Sequence, residues 1–212
     1  MLDRSLLLAL ALVSASGCGI NFDIGPYDVG TPIGDLQGAP VGQCPPTLAG
    51  GAIIDEGDSC RITATYEGVF VDGQALTADV DAGIAAAATV VGYVTRVRKG
   101  SIQLDAAQIL GDDTPPDVTW RDVRISLWID GGTEHVSEQL TVPNPTGISF
   151  SAPFSSPDLS VVNAVLDAPT TSDLSGDIVF AGSLSLDDIQ VLSNSGALSL
   201  VAEVGADITV GL

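Results

Sequence analysis

Basic residues are scarce in this sequence. Only 7 Lys and Arg stand against 27 Asp and Glu in 212 residues, which gives a formal net charge of -20. A surface of this sign repels the phosphates of nucleic acids, so nucleic acid is excluded as a partner. Aromatic residues make up 5% of the chain, and that leaves few rings to stack on sugars.

Catalytic motifs are absent as well. The chain contains no G-x-S-x-G, H-E-x-x-H, P-loop or G-x-G-x-x-G sequence, so the common nucleophile, zinc-protease and nucleotide sites are missing. His135 is the one histidine, and we expect it on a solvent-facing hairpin rather than as a catalytic base. The sequence therefore predicts no catalytic residues, and the protein is not expected to be an enzyme.

Hydrophobic residues are abundant, at 45% of the chain, and the mean hydropathy is +0.38. A chain this apolar buries enough surface to offset the entropy of ordering it, so its acidity does not indicate disorder. We expect one folded domain.

The N-terminus carries a short apolar run. Residues 5–17 read "SLLLALALVSASG", and the apolar part is about 16 Å long as a helix, roughly half of a hydrocarbon core of about 30 Å. The run is too short to span a membrane and has the layout of a secretory signal peptide over residues 1–17.

The residues Ala15, Ser16, Gly17 and Cys18 resemble the lipobox of bacterial lipoproteins. The resemblance implies that Cys18 is lipidated with three acyl chains and becomes the mature N-terminus. An ordinary signal peptide, cleaved within "SASG" and leaving Cys18 as a free thiol, is the alternative. An Asp directly after the lipidated Cys resembles the inner-membrane retention signal of enteric bacteria. Residue 19 is Gly instead, so we expect a lipid anchor in the outer membrane, facing the periplasm or the cell surface.

Cysteine counting agrees with lipidation, because an odd thiol is a liability in an exported chain. With Cys18 lipidated, Cys44 and Cys60 remain as a disulfide closing a loop of about 15 residues, worth about 3 kcal/mol. Buried reduced thiols are the alternative. Zinc is disfavoured, because neither residue belongs to a close pair of cysteines.

The sequence predicts three segments. They are a signal peptide (1–17), a lipidated N-terminus with a flexible Gly/Pro-rich tether (18–43), and a β-sandwich-like domain (44–212). Alternating apolar residues in 20–29 leave open that the tether is instead an edge strand.

Beyond residue 60 the apolar period is mostly two, which predicts an antiparallel β-sandwich. Two strands are expected about the turn "VDGQ" (71–74). Residues 82–94 fit a helix or a strand equally well. The one helix is predicted in 157–167, with Ser156 as its N-cap.

A hairpin is predicted about Gly131 and Gly132, with Val123, Ile125, Leu127 and Ile129 on one face. Pairing Asp130 with Thr133 places Trp128 opposite His135 on the polar face. The last strand alternates from Leu198 to Leu212, with the apolar residues on one face.

Calcium is the one cofactor that the sequence suggests. Asp residues cluster in turns, and Asp112, Asp113 and Asp117 are the candidate ligands, because calcium prefers oxygen cages. Asp is also a common turn residue, so no cofactor is the main expectation.

The expected function is a non-enzymatic structural or binding role at the cell envelope. The first alternative is a carrier or chaperone for apolar cargo, with the helix at 157–167 covering a cavity between the sheets. The second is a carboxylate-based envelope hydrolase with two acids in a cleft.

Overall fold

The computed structural model describes residues 20–36, 40–87, 96–111, 117–144 and 146–211. The strands in these ranges are β1 (Ile20–Asp35), β2 (Gly51–Asp55), β3 (Ser59–Val71), β4 (Arg96–Gly111), β5 (Thr119–Ile129), β6 (His135–Val136), β7 (Leu140–Pro143), β8 (Ile148–Pro153), β9 (Leu174–Ser185) and β10 (Ala197–Gly211). The helices are α1 (Gly73–Ala87), α2 (Ser156–Asp167) and α3 (Leu186–Leu192).

The strands form two antiparallel sheets. One has the order β1-β10-β4-β8, and the other has the order β2-β3-β9-β5-β6, with β7 also paired to β5. Apolar side chains from both sheets pack into one core, so the predicted β-sandwich is confirmed. The prediction of a single helix is wrong, since the described ranges hold three. None of these three is long and apolar enough to cross a membrane.

The predicted tether (18–43) is wrong over β1, which pairs with β10 along its length. Ile24, Val29 and Ile33 are buried in the core, so the alternating apolar residues outweigh the Gly and Pro content. Pro26 lies at an interruption of the ladder, and β1 is an edge strand, where a missing N–H is tolerated. The folded body therefore begins before the predicted boundary at residue 44.

The predicted hairpin at "VDGQ" is also wrong, because α1 begins there. The Asp72 carboxylate accepts hydrogen bonds from the N–H groups of Gln74 at 3.0 Å and Ala75 at 2.9 Å, which caps the helix. Leu76 and Val80 are buried at helical spacing. Of the ambiguous residues 82–94, those up to 87 are helical, and 88–95 lie outside the described residues.

Helix α1 packs closely on β1. A Cβ on Gly83 would lie 2.3 Å from the Phe22 ring, so only glycine fits at this crossing. The Tyr27 hydroxyl donates a hydrogen bond to Asp79 of α1. Burial, this bond and the nearby negative charges raise the pKa of Tyr27 well above its ordinary value.

The inward face of β5 is confirmed, because Val123, Ile125, Leu127 and Ile129 are buried. The hairpin register is wrong by one residue. His135 pairs with Leu127, not Trp128, and this slip turns Val136 outward, with 52% of its surface exposed.

Helix α2 begins one residue earlier than predicted, with Ser155 rather than Ser156 as its N-cap. Ser155 and Asp158 form a capping box, in which each side chain accepts from the other's backbone N–H. Val162 and Val165 bury one face of the helix.

Strand β10 is confirmed as the long alternating strand. Leu198, Leu200, Val204, Ile208 and Val210 are all buried. This strand lies at the centre of its sheet, between β1 and β4, which explains its regular pattern.

Candidate functional site

The predicted disulfide is confirmed. Cys44 and Cys60 are bonded, with their Cα atoms 5.7 Å apart. Cys60 lies in β3 and is fully buried, so the bond ties the loop after β1 to the six-stranded sheet.

The other predicted site residues find less support. Cys18, Asp112 and Asp113 lie outside the described residues, and Asp117 is exposed. Within the ranges that the structure describes, no three His, Cys, Asp or Glu side chains are grouped to hold a metal ion. Calcium binding therefore stays a prediction.

His135 lies beside a buried carboxylate rather than on an open surface. Its Nε2 donates to Asp158 Oδ2 at 3.0 Å, and the Asp158 side chain is fully buried. The Thr133 N–H donates to Oδ1 at 2.8 Å. Ser155 donates to Oδ2 twice, from its N–H at 2.7 Å and its hydroxyl at 2.6 Å. The expectation that His135 lies opposite Trp128 is wrong, because His135 pairs with Leu127.

The hydrogen bonds keep Asp158 ionised. Burial by itself raises the pKa of this carboxyl, but the bonds from Ser155, Thr133 and His135 outweigh burial and hold the pKa below its ordinary value of 3.8. Bonds to an ionised acceptor are short and strong. Asp158 thus fastens the turn of the hairpin to the start of α2.

Ser155, His135 and Asp158 are the residue types of a serine triad, but their hydrogen bonds are arranged differently. In a triad the imidazole stands between the serine and the carboxylate. Here the Ser155 hydroxyl donates directly to Asp158, so His135 does not take the serine proton. The arrangement connects the hairpin turn to the start of α2.

The space between the sheets is small. An apolar cavity of about 30 Å³, lined by Phe70, Phe154, Val162 and other core residues, has room for little more than a water molecule. A depression of about 320 Å³ lies between α1 and α2, lined in part by Asp81, Arg96 and Asp167.

Three arginines lie together on the outer surface of the six-stranded sheet. Arg61 of β3 and Arg121 of β5 both pair with Ser183, on opposite sides of β9, so their Cα atoms are about 10 Å apart. Arg124 pairs with Ala181, two residues further along β9. We call this surface, defined by Arg61, Arg121 and Arg124, the arginine face.

Among the described residues, these arginines have no carboxylate partner. Within the described part of the chain, no acidic oxygen lies within 4.0 Å of Arg61, Arg121 or Arg124. Arg124 donates to the side-chain oxygen of Gln139 at 3.1 Å. The Glu56 carboxylate accepts from Ser183 at 3.0 Å instead. In the ranges given above, the three positive charges are therefore not compensated by a direct ion pair.

The far end of the same surface is acidic. Asp177 pairs with Trp128 on one side and with Glu67 on the other, about 20 Å along β9 from Ser183. Burial and the charges of Glu67 and Asp130 raise the pKa of Asp177, although a hydrogen bond from Trp128 opposes the shift. The surface is therefore positive at one end and negative at the other.

The sequence alone did not identify the arginine face. Its three arginines belong to two strands that lie on either side of a third, and no local pattern shows that they are neighbours. The alternation of β3 and β5 predicts only that these side chains point outward.

No protein-family model matches the chain, and no curated protein matches it. Among solved structures, the chain is similar to the CBM22-1 xylan-binding domain of Xyn10C from Paenibacillus barcinonensis. The identity is 9%, the TM-score is 0.23, and the alignment covers 92% of this chain and 97% of that domain. A likeness this distant carries no argument about ligand or function.

Proposed function

We propose that the protein is an exported bacterial lipoprotein, attached to the outer membrane through lipid on Cys18, that acts as a non-enzymatic binding module. The arginine face is the observation that carries the binding role, and the lipobox-like residues 15–18 support the anchor. Guanidinium groups bind carboxylates through paired hydrogen bonds. The partner is therefore an acidic surface of another envelope protein.

Binding at the surface agrees with the packing of the core. Pockets for small molecules and lipids measure about 300–1,000 Å³, whereas the apolar cavity between the sheets measures about 30 Å³. This difference favours a surface partner over an apolar cargo carried inside the sandwich.

The lipid anchor is tested by intact mass measurement on protein extracted from the membrane fraction. We expect a mature chain that begins at Cys18 and carries the mass of three acyl chains, since several chains are needed for stable anchoring. The variant Cys18→Ser is expected to leave the membrane fraction. A mature N-terminus elsewhere, or no added acyl mass, would contradict the proposed anchor.

The arginine face is tested by crosslinking in the bacterium that makes the protein. A photoreactive residue at Thr63, which pairs with Ala181 beside Arg124, is expected to form a covalent adduct with the partner. Reversing the charges with Arg121→Glu and Arg124→Glu should reduce this adduct at least about tenfold, because like charges at an interface repel.

The matched control for this experiment places the same photoreactive residue at Gln103. Gln103 is half-buried like Thr63 but lies on the four-stranded sheet. An adduct that forms equally from both positions, or that survives the charge reversal, would show that the arginine face is not the binding surface.

A further inference from the structure

The remaining basic residues of the described chain lie at one end of the four-stranded sheet. Arg96, Arg98 and Lys99 open β4, and all three are exposed. Lys99 pairs with Thr209 of β10, and Thr209 pairs with Asn21 of β1. Because neighbouring strands are about 4.8 Å apart, the Cα of Lys99 lies about 10 Å from that of Asn21.

Chain length keeps Cys18 at this same end. Only Gly19 separates Cys18 from Ile20, the first residue of β1. Consecutive Cα atoms are about 3.8 Å apart, so the Cα of Cys18 lies within about 8 Å of that of Ile20. Lipid on Cys18 would therefore hold this end of the sheet at the level of the headgroups.

We infer that Arg96, Arg98 and Lys99 dock this end of the sheet on the phosphates of anionic phospholipids. The inference rests on the lipidation of Cys18 in the proposed function. A Lys or Arg near an anionic membrane strengthens binding by about fivefold. The three side chains, which are half of the basic residues outside the signal peptide, act on a body that is otherwise acidic.

The acidic residues on the outer surface of this sheet lie further along the strands. The first acidic row is formed by Asp207 and its partner Asp23, two residues along β10 from Thr209. The second row is formed by Glu203 with Asp28 and Asp105, six residues from Thr209. These rows are about 7 Å and 20 Å from the basic end. With a screening length of about 8 Å, the first row weakens the docking and the second is largely screened. Asp81 and Asp167 share a depression with Arg96 and offset part of its charge. The remaining positive charge favours a body that stands with its basic end on the membrane.

Lys99 is the one lysine of the chain, which allows a site-specific test. The full lipidated protein is inserted into two kinds of vesicle. One is made of phosphatidylcholine alone, and in the other about two lipids in five are anionic phosphatidylglycerol. The rate at which an amine-reactive reagent acylates Lys99 is then measured by peptide mass spectrometry. We expect acylation to be about fivefold slower on the anionic vesicles. The protection should disappear in about 1 M salt, where the screening length falls to about 3 Å.

Two variants of equal charge provide the control. Arg96→Gln with Arg98→Gln should abolish most of the protection, whereas Arg61→Gln with Arg124→Gln on the arginine face should keep it. Equal acylation rates on both vesicles, in protein whose intact mass shows the acyl chains, would overturn the docking and leave the anchor standing. A mass without acyl chains would overturn the anchor itself, and the docking with it.

Discussion

A chain that begins at residue 37, and so lacks β1, is expected to lose cooperative folding. Ile24, Val29, Ile33 and Leu36 are buried in the core, and each such side chain contributes about 1.5–3 kcal/mol. Their combined loss of about 6–12 kcal/mol is as large as the net stability of a typical protein, about 5–15 kcal/mol. The loss also uncovers the edge of β10, which promotes aggregation.

Urea unfolding followed by circular dichroism, together with size-exclusion chromatography, measures this effect. The control is a chain that begins at Ile20 and keeps β1, for which we expect a monomer with a single cooperative transition. If both chains unfold at the same urea concentration, then the segment before residue 37 is a tether after all.

Replacing Asp158 with alanine is expected to lower the free energy of unfolding by about 3–5 kcal/mol, the usual cost of removing one partner from a buried ionic cluster. The reason is that the carboxylate accepts from His135, from the Thr133 N–H and from Ser155. These donors would stay partly buried without an acceptor. Urea unfolding of the variant measures the loss.

Asp188 provides a matched control for Asp158. It occupies the same position at the start of α3, where it accepts a hydrogen bond from Ser185 at 2.7 Å. Within the part of the chain that the structure describes, it has no bond to a hairpin or to a histidine. Asp188→Ala is expected to cost about 1 kcal/mol, the usual value for a helix cap. Equal losses from the two substitutions would show that Asp158 is merely a cap.

The stabilisation by Asp158 also depends on pH. The pKa of Asp158 in the folded protein is below the ordinary value of 3.8. Its contribution to stability is therefore fully present at pH values above the pKa of the unfolded chain, and it is lost as the pH falls through the pKa of the folded protein. The gap in stability between the wild type and Asp158→Ala should therefore narrow below about pH 4.

Local patterns were sufficient for much of the fold. The alternation in β5 and β10 predicted their buried faces, because each side chain on a regular strand points opposite to the one before it. The pair Cys44 and Cys60 followed from counting the cysteines. Ser155 and Asp158 have the spacing of a capping box, a signal that was present but missed by one residue.

The errors arose where distant residues decide the structure. Asp72 with the following glycine fits a hairpin turn and a helix cap equally well, and packing of α1 on β1 favours the helix. The register of His135 depends on Asp158, which is 23 residues away. The arginine face depends on strand order, which no local pattern contains.

The pairing of β1 with β10 has a consequence for the order of folding. The first described strand is a neighbour of the last one, so β1 has no strand partner until nearly the whole chain has been synthesised. Contacts between such distant segments slow folding. The nascent protein must therefore pass through an incompletely paired state in which the apolar side of β1 is exposed, a state that holdase chaperones protect from aggregation.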